Sequence, residues 1–398
     1  MKHLTIVGGG FAGLWAAMSA AAERHRLGIS PKALEIELIN KDGNLVVRPR
    51  LYEGAHDDMK VPLQPLLDVI DVRLTQGLVV DIDPAKKLIS LVKSGGLQDH
   101  LYGSLILASG SQIRALPIPG ASQFAFDNDT FEGAAKLDEH LVRQSNLYEN
   151  AESDFTVAVV GAGFTGIETA MELRKNFGEK IRIILLDQET EVGKELGSEL
   201  KSEISNAMSK YNIETRLSST ITEIDEKGLT LDTGENLITE TVIFATGLEA
   251  SPLTKLFDAP KDQTGRLIVD SNLSLPGKSS VYIAGDTAYA MADAKHSTLM
   301  SCQHAMQLGR YAGYNAIRAI AGEPLHPYTQ EVYRTCLDLG PAGAVFTEGW
   351  ERKVQKTGDQ GKAIKREINQ HWIYPPNPDV GASAIFEAVG LSQELNAA

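Results

Sequence analysis

Cysteine is scarce in this sequence, and long apolar runs are missing. Only two cysteines occur among the 398 residues, Cys302 and Cys336, and they do not form a CxxC pair. We therefore read neither a zinc site nor a disulfide framework from the sequence, and we expect a reducing, cytoplasmic environment. No apolar run reaches the roughly 18 residues that a membrane-spanning helix needs.

Basic residues are outnumbered by acidic ones. Lys and Arg total 38 and Asp and Glu total 52, which gives a formal net charge of −14. This balance argues against a nucleic-acid partner and against a surface that charge alone would hold on anionic lipid. The remaining composition is that of an ordinary globular protein, and the length predicts two or three domains. Three glycines interrupt the apolar stretch after Lys2, so we do not interpret it as a signal peptide.

One pattern occurs twice along the chain: a short apolar strand, a glycine-rich loop, a helix and a second strand. The first copy consists of the strand Leu4–Val7, the loop Gly8-Gly9-Gly10-Phe11-Ala12-Gly13, a helix from Leu14 to about Arg26 and the strand Leu34–Asn40. The second consists of the strand Phe155–Val160, the loop Gly161-Ala162-Gly163-Phe164-Thr165-Gly166, a helix from Ile167 to about Asn176 and the strand Ile181–Asp187. Two such units predict two dinucleotide-binding βαβ sites.

The glycine spacing has a physical reason. In GxGxxG the first glycine permits the tight turn, the second lets the backbone approach a pyrophosphate, and the third lets the helix pack on the strand. The helix N-terminus then offers free N–H groups and a partial positive charge to the phosphates.

Further short elements follow the same alternation. We predict strands at Val79–Asp81, Leu88–Lys93, Leu105–Ala108, Thr241–Thr246 and Val281–Ala284, a linker at Pro117–Gly120, and a helix that Thr130 caps and that runs to about Tyr148. Towards the C-terminus we predict a hairpin of Arg334–Leu339 with Ala344–Thr347, a basic helical stretch over Gln355–Gln370, and a weakly amphipathic tail after Pro375–Pro378.

Three more motifs stand in a fixed order around the two units. Leu107-Ala108-Ser109-Gly110-Ser111 and Phe244-Ala245-Thr246-Gly247 are similar to ATG-type turns, and Val281-Tyr282-Ile283-Ala284-Gly285-Asp286 is similar to a strand that ends in Gly-Asp. Over roughly residues 1–325 the sequence thus resembles the two-dinucleotide flavoproteins of the pyridine nucleotide-disulfide oxidoreductase family. Within that family it resembles the type II NADH:quinone oxidoreductases.

The resemblance implies an α/β fold with two Rossmann-like domains of the glutathione-reductase-like FAD/NAD(P) type and a small C-terminal α+β region. The FAD-binding domain would be discontinuous, over 1–113 and 275–325. The NADH-binding domain would be inserted as 114–274, and the C-terminal region would be 326–398.

The resemblance also implies cofactor contacts. FAD would lie against Gly8, Gly10, Phe11, Ala12, Gly13, Asn40, Lys41, Arg48, Ser109, Gly110, Gly285 and Asp286, with the Asp286 carboxylate on the ribityl chain. NADH would lie against Gly161, Gly163, Phe164, Thr165, Gly166, Asp187, Thr246 and Gly247. Asp187 can accept a hydrogen bond from a free ribose 2′-OH and would repel a 2′-phosphate, so we expect NADH to be preferred over NADPH.

The electron acceptor is predicted from a different motif. Cys302-Gln303-His304-Ala305-Met306-Gln307 is similar to the Ala-Gln-x-Ala-x-Gln quinone motif, although Cys302 replaces alanine and Met300 stands where proline is usual. Gln303 and Gln307 would share one helix face and could hydrogen-bond a quinone carbonyl. The alternative is that both glutamines only solvate a helix that contacts the flavin.

Glu168 and two histidines have open roles. Glu168 would hold the nicotinamide ribose or relay a proton, or it is simply a carboxylate favoured by a helix N-terminus. His296 and His304 flank the acceptor motif and are read as ordinary histidines, with proton donation to a reduced quinone as the alternative. We predict no metal site.

The segment after the second strand separates this chain from related classes. Asn40 to Glu53 contains no cysteine, which excludes the thiol relay of the disulfide reductases at that face. The sulfide:quinone oxidoreductases also rely on cysteines near the flavin, and two scattered cysteines match them poorly. Pro49-Arg50-Leu51-Tyr52 instead resembles the Pro-x-Leu-Tyr segment that lies along the flavin in type II enzymes.

These observations predict an FAD enzyme that takes hydride from NADH and passes two electrons to a quinone or another two-electron acceptor. A reductase of a small protein or a water-soluble oxidant, and a flavin-based redox sensor, stay as alternatives. We interpret the basic segment that contains Arg352, Lys353, Lys356, Lys362, Lys365 and Arg366 as a charged solvated face, with a membrane-facing patch as the other reading. Peripheral contact with the inner face of the cell membrane and a homodimer are left open.

Overall fold

The computed structural model describes residues 2–114, 116–148 and 155–391. Within these ranges the α-helices are α1 (Phe11–Arg26), α2 (Gln64–Val69), α3 (Ala121–Phe124), α4 (Phe131–Leu147), α5 (Phe164–Phe177), α6 (Ser198–Lys210), α7 (Cys302–Ala321), α8 (Gly358–Glu367) and α9 (Gly381–Val389). A 3₁₀ segment covers Arg48–Glu53, and a π-helical turn, Ile368–Trp372, follows α8. None of these helices combines the length and the apolar character that crossing a membrane requires.

The strands are short. In the first half they are β1 (Lys2–Val7), β2 (Leu34–Asn40), β3 (Asn44–Val46), β4 (Lys60–Pro62), β5 (Arg73–Gln76), β6 (Leu78–Asp83), β7 (Leu88–Lys93), β8 (Gly96–Leu101), β9 (Ser104–Leu107), β10 (Ser111–Ile113), β11 (Ala125–Asp127), β12 (Phe155–Val160) and β13 (Ile181–Leu186). In the second half they are β14 (Ile213–Arg216), β15 (Ile221–Asp225), β16 (Gly228–Leu231), β17 (Asn236–Ile238), β18 (Thr241–Phe244), β19 (Leu248–Ala250), β20 (Leu267–Ile268), β21 (Ser274–Leu275), β22 (Lys278–Ile283), β23 (Ala288–Tyr289), β24 (Arg334–Asp338), β25 (Ala344–Glu348) and β26 (Lys353–Lys356).

Two mainly parallel sheets form the centre of the molecule. The first has the order β21-β22-β9-β1-β2-β5, and the second has the order β11-β18-β12-β13-β14. In the first sheet β1, which precedes the first glycine loop, lies between β2 and β9. In the second sheet β12, which precedes the second glycine loop, lies between β13 and β18. These central strands are buried along most of their length, which explains their continuous apolar sequence. The predicted α/β class is confirmed.

Three antiparallel three-stranded sheets accompany them: β6-β7-β8, β15-β16-β17 and β24-β25-β26. The last contains the predicted C-terminal hairpin, in which β24 pairs with β25. The pairing of β10 with β19 joins the two places where the chain passes between the central sheets.

Several element boundaries differ from the prediction. Helices α1 and α5 begin at Phe11 and Phe164, three residues earlier than predicted, because the last part of each glycine loop already has helical conformation. The basic stretch starts as strand β26 and becomes helical only from Gly358. The predicted N-cap is present, since Thr130 Oγ1 accepts a hydrogen bond from the Gly133 N–H at 2.9 Å.

The C-terminal residues contribute to both large cores. Leu337, Leu339 and Val345 pack in the core around α5 and the second sheet. Ile385 and Val389 of α9 pack in the core around α1 and the first sheet. The last residues of the predicted C-terminal region, 392–398, lie outside the described residues, as do 115 and 149–154 in the predicted NADH-binding domain.

Candidate active site

The two glycine loops have almost the same backbone geometry. Gly8 and Gly161 adopt φ values of +105° and +110°, which side chains strongly disfavour. A Cβ atom on Gly13 would lie 1.7 Å from the Gly8 carbonyl oxygen, and one on Gly166 would lie 1.7 Å from the Gly161 carbonyl oxygen. Glycine is therefore required at these positions, as the spacing predicted.

The helices that follow the loops begin without a side-chain cap. Gly10 and Gly163 occupy the N-cap positions of α1 and α5, no side chain accepts from the first turn, and neither first turn contains an acidic residue. By contrast, Thr130 and Ser301 cap α4 and α7 with their hydroxyl oxygens. The first turns of α1 and α5, with Phe11, Ala12, Phe164 and Thr165, thus keep N–H groups available for an anion.

A polar residue at the end of the next strand holds each loop. Asn40 Oδ1 accepts a hydrogen bond from the Gly9 N–H at 2.9 Å, and Asp187 Oδ2 accepts one from the Ala162 N–H at 2.5 Å. Asp187 Oδ1 also accepts from the Glu189 N–H at 2.9 Å. Both predicted ribose-binding residues therefore lie beside their loops. Lys41 is half-exposed, with its ammonium 3.9 Å from the Asp42 carboxylate.

Two hydroxyl groups at matching places have no hydrogen-bond partner among the described residues. Ser109 follows β9 and Thr246 follows β18, and each is succeeded by a glycine, Gly110 or Gly247. Ser109 Oγ and Thr246 Oγ1 are buried and make no hydrogen bond within the described ranges. Since buried hydroxyls normally have partners, both positions fit contact with a bound group.

A charged cluster lies at the end of the first sheet. Asp286 follows Gly285, whose Cβ would meet Ala12 Cβ at 2.6 Å, and Asp286 Oδ2 accepts a hydrogen bond from Ser111 Oγ at 2.6 Å. Arg48 donates to Ser111 Oγ at 2.9 Å and pairs with Asp129. Ser111 ends the first ATG-type motif of the sequence, and its link to Asp286 and Arg48 was not predicted. Asp129 was missed because no local pattern connects it with Arg48.

Glu168 lies at the centre of a buried network that links α5 to the C-terminal region. Its Oε1 accepts hydrogen bonds from Lys365 Nζ at 2.8 Å and from the Asp338 N–H at 2.9 Å. The Asp338 carboxylate in turn accepts hydrogen bonds from Lys362 Nζ at 2.6 Å and from the Tyr52 hydroxyl at 3.0 Å. Tyr52 belongs to the Pro-x-Leu-Tyr segment, so three distant parts of the chain meet here.

This network corrects part of the interpretation of the basic segment as a solvated face. Lys353, Lys356 and Arg366 are exposed, as that interpretation expects. Lys365, however, is only 7% exposed, and Lys362 also turns inward, because the carboxylates of Glu168 and Asp338 compensate their charges. The sequence did not reveal that acidic partners lie opposite these two lysines.

Burial shifts the proton affinities in this network. Burial raises the pKa of Glu168 above its usual value even though Lys365 acts in the opposite direction. For Lys365, burial lowers the pKa, but the neighbouring carboxylate of Glu168 outweighs it and the net pKa is raised. Burial also raises the pKa of Tyr52 well above its usual range. Lys365 therefore stays protonated at neutral pH.

The candidate acceptor residues begin helix α7. Gln303 Oε1 accepts a hydrogen bond from the Arg334 N–H at 3.3 Å, and its buried Nε2 donates to no described residue. Gln307 Oε1 accepts from Arg310 Nη1 at 3.1 Å. Cys302 packs beside an apolar cluster that comprises Val47, Leu51, Met59, Ala134 and Ile373. Ile368, which directly follows α8, packs against the same cluster, and a Cβ on Gly285 would lie 3.6 Å from Ala305 Cβ of α7. The start of α7 therefore lies near the end of α8 and near Asp286.

The two histidines near the motif differ in environment. His304 is fully buried, its Nδ1 is 3.0 Å from Gln330 Oε1, and burial lowers its pKa to about 4. His296 pairs with Asp293 at 2.7 Å. Both rings belong to one aromatic stack, in which Trp350 lies 4.5 Å from His296, 4.6 Å from Tyr333 and 5.8 Å from His304 between centroids. His304 is thus a neutral core histidine at pH 7.

Both thiols are unreactive by environment. Burial raises the pKa of Cys302 to about 11 and that of Cys336 to about 12. A protonated thiol is a weak nucleophile. Although far apart in sequence, both cysteines belong to clusters against which Ile368 packs, a proximity that the sequence did not indicate.

One group of side chains outside this region has the composition of a metal site. His3, Glu37 and His100 bring ligand atoms within 4.8 Å of one another. Glu37 is already satisfied, because Thr75 Oγ1 donates to its Oε1 at 2.5 Å and Arg73 lies 3.1 Å away. The adjacent guanidinium opposes a cation, so we assign no metal here.

The residues present fit two bound dinucleotides. Each unit offers an uncapped helix start, a loop in which side chains would collide with backbone, a polar residue at the strand end and an unpartnered buried hydroxyl. The arrangement can hold two diphosphates and bring a redox pair together near Glu168 and the start of α7.

The sequence and the fold are similar to those of known NADH-linked oxidoreductases. Residues 2–309 match the family described as pyridine nucleotide-disulphide oxidoreductase. The chain is 36% identical over 384 residues to the NADH dehydrogenase-like protein Rv1812c of Mycobacterium tuberculosis, covering 94% of this chain and 95% of that protein. It is 25% identical over 397 residues to a type II NADH:quinone oxidoreductase of Staphylococcus haemolyticus, covering 94% and 95%. Among solved structures, NDH2 from Plasmodium falciparum in complex with NADH has the same fold, with a TM-score of 0.74 at 14% identity over 99% of this chain and 98% of that one.

Proposed function

The chain belongs to the pyridine nucleotide-disulphide oxidoreductase family, and we propose that it transfers electrons from NADH to a quinone. The family resemblance that the motifs indicated is confirmed. The protein is an NADH-dependent oxidoreductase, and its cofactors are FAD and NADH. The quinone is the part that we propose.

One observation carries the proposal. Helix α7 with its glutamine pair begins beside an apolar cluster. Ile368, at the end of the helix that carries Lys365, packs against the same cluster, and burial disfavours the thiolate form of both cysteines in this region. An acceptor at this place would meet amide groups, an ammonium group and apolar walls, which suit a quinone better than a disulfide. The name of the S. haemolyticus relative supports the same acceptor.

The chemistry that bound FAD supplies is acceptance of a hydride from NADH and delivery of two electrons, so no side chain has to act as a nucleophile. The chain's own residues would do the rest. Gln303 Nε2, which lacks a partner among the described residues, would donate a hydrogen bond to a quinone carbonyl. Lys365 Nζ, held protonated beside Glu168, would contribute a positive charge near the start of α7 that favours a reduced, anionic quinone.

We assign the remaining predicted positions on the same basis. FAD would occupy the first loop, with Ser109, Gly110, Arg48 and Asp286 beside it, and NADH the second loop, with Asp187, Thr246 and Gly247. The division into an FAD-binding domain (1–113 and 275–325), an NADH-binding domain (114–274) and a C-terminal region (326–398) belongs to this proposal. Peripheral membrane contact and a homodimer stay predictions.

An anaerobic experiment tests the function. The purified holoenzyme is mixed with excess NADH under argon, and we expect the flavin absorbance to bleach. Addition of a soluble quinone should restore it, and repeated additions should show turnover. Flavin that bleaches with NADH but recovers only with a ferredoxin, or not at all, would contradict the quinone proposal. Gln303→Ala should lower kcat with quinone and leave the rate of bleaching by NADH unchanged.

A further inference from the structure

The turn between β25 and β26 carries an arginine without a carboxylate partner among the described residues. Arg352 donates through Nη1 to the Glu195 carbonyl oxygen and through Nη2 to the Tyr333 hydroxyl at 3.4 Å. Its Nε is buried and makes no hydrogen bond within the described ranges. No carboxylate among the described residues neutralises this guanidinium and the side chain is partly exposed, so its charge is available to an anion.

The position of Arg352 points to the second glycine loop. Its Cζ lies 5.9 Å from the centre of the Phe164 ring, and Phe164 is the first residue of α5. Glu195, its carbonyl partner, follows Gly193, whose N–H donates to the Ala162 carbonyl oxygen of the loop at 3.0 Å. The guanidinium is therefore tied to the loop from two sides.

The turn is held firmly in place. The Val354 N–H donates to Glu199 Oε2 at 2.9 Å, and a Cβ on Gly197 would meet the Glu351 carbonyl oxygen at 2.8 Å. Trp350 stacks on Tyr333 with ring centroids 4.6 Å apart. Arg352 itself adopts a φ of +50°, a conformation that residues with a side chain rarely keep unless their surroundings impose it. These contacts position the charge in advance, which reduces the entropy lost on binding.

We propose that Arg352 binds the diphosphate of NADH beside the uncapped start of α5. The proposal deepens the proposed function and rests on its assignment of NADH to the second loop. The helix start contributes a partial positive charge and free N–H groups, and Arg352 contributes a full charge with planar donor geometry that matches phosphate oxygens. The C-terminal region thus forms part of the NADH site as well as part of the Glu168 network.

ADP-ribose tests this assignment without electron transfer, because it carries the diphosphate and lacks nicotinamide. We would titrate ADP-ribose into the FAD-loaded wild-type protein and into the Arg352→Gln, Arg352→Lys and Lys353→Gln variants by calorimetry at two salt concentrations. Lys353 is exposed at the start of β26, next to Arg352, so Lys353→Gln controls for loss of one positive charge nearby. Thermal unfolding of each variant reports on a purely structural effect.

We expect Arg352→Gln to weaken ADP-ribose binding about tenfold or more and to reduce its salt dependence, with Arg352→Lys intermediate and Lys353→Gln within about twofold of wild type. Binding by Arg352→Gln within about twofold of wild type would overturn the inference, as would wild-type protein that does not bind ADP-ribose. Should Arg352→Gln fail to fold, the loss in Arg352→Lys and its altered salt dependence decide the matter. A protein that binds ADP-ribose through Arg352 yet never reduces quinone supports the inference and removes only the quinone assignment.

Discussion

The two glycine-loop units share a backbone but have different surroundings. Gly8 and Gly161 have nearly equal φ values, and the clash distances at Gly13 and Gly166 are the same. Seven residues after the first loop glycine, however, α1 has Trp15 and α5 has Glu168. Trp15 is buried beside Phe11, with ring centroids 5.9 Å apart, whereas Glu168 is buried against Lys365.

The strands that follow the helices differ in the opposite sense. In β2, Glu37 lies three residues before Asn40, and in β13, Ile184 lies three residues before Asp187. Both side chains are fully buried. At these matched positions the first unit therefore has an apolar residue in the helix and a charged residue in the strand, and the second unit has the reverse. The loop determines where a diphosphate can lie. The neighbouring elements determine where a charged side chain can be buried.

The largest expected effect is loss of a bound cofactor, and it should concern FAD in the first unit and NADH in the second. Gly13→Ala should leave less than about a tenth of the flavin bound, because the new methyl group collides with the Gly8 carbonyl. Gly166→Ala should keep its flavin and lose bleaching by NADH. Flavin absorbance per folded chain, followed by anaerobic addition of NADH, measures both. Gly95→Ala, where a Cβ meets no atom within 4 Å, is the control, and equal flavin loss in both loop variants would contradict the assignment.

The next effect tests the charged helix of the second unit. Lys365→Met should lower the free energy of unfolding by about 3 to 5 kcal/mol, because it leaves the Glu168 carboxylate buried without a counter-charge. The double variant Glu168→Gln/Lys365→Met should recover a large part of that loss. Urea unfolding of the holoenzyme measures both changes. Lys356→Met, at an exposed position, should change stability by no more than about 0.5 kcal/mol, and a double variant no more stable than Lys365→Met would argue against the pair.

The charged strand of the first unit predicts a dependence on pH. Burial alone would raise the pKa of Glu37, but the adjacent His3, the hydrogen bond from Thr75, the contact with His100 and the charge of Arg73 lower it from 4.5 to about 2. The ionised group therefore stabilises the fold fully above about pH 4.5, and this stabilisation is lost as the pH falls towards 2. Glu37→Gln should cost on the order of 3 kcal/mol at pH 7.

The difference between wild type and Glu37→Gln should shrink when urea unfolding is repeated at pH 3. Ile184→Val, at the matching place in the second unit, serves as the comparison, since its cost of about 1 kcal/mol should not change with pH. A Glu37→Gln effect that is the same at both pH values would contradict the ion-pair explanation.

The smallest expected effect concerns the strand ends. Asp187→Asn keeps an oxygen for the Ala162 N–H and removes the charge that would repel a 2′-phosphate. The ratio of kcat/KM for NADH to that for NADPH should fall about tenfold. Glu223→Gln, an exposed change of the same charge in β15, should leave the ratio as it is. An unchanged ratio in Asp187→Asn would mean that the 2′ position is recognised elsewhere.

Many residues of the candidate site could be predicted because they belong to short sequence motifs. The glycine loops, the strand-end residues Asn40 and Asp187, and the Ser109 and Thr246 turns lie where their motifs predicted. Their geometry depends on neighbours in sequence, so spacing is sufficient to find them. The partners of Glu168 and Arg48 were not found, because Lys365, Tyr52 and Asp129 come from segments that carry no motif of their own.

The sequence by itself determined the α/β class, the two dinucleotide units, the family and the absence of a cysteine pair where the disulfide reductases have one. Backbone sterics and hydrophobic periodicity act over short distances, and a single chain displays them directly. Only the tertiary structure decided that Lys362 and Lys365 of α8 turn inward, that Cys336 is buried and Cys302 half-buried, and that Arg352 lies beside Phe164 of the second loop. Charge compensation and burial depend on segments that are hundreds of residues apart in sequence, and folding alone brings them together.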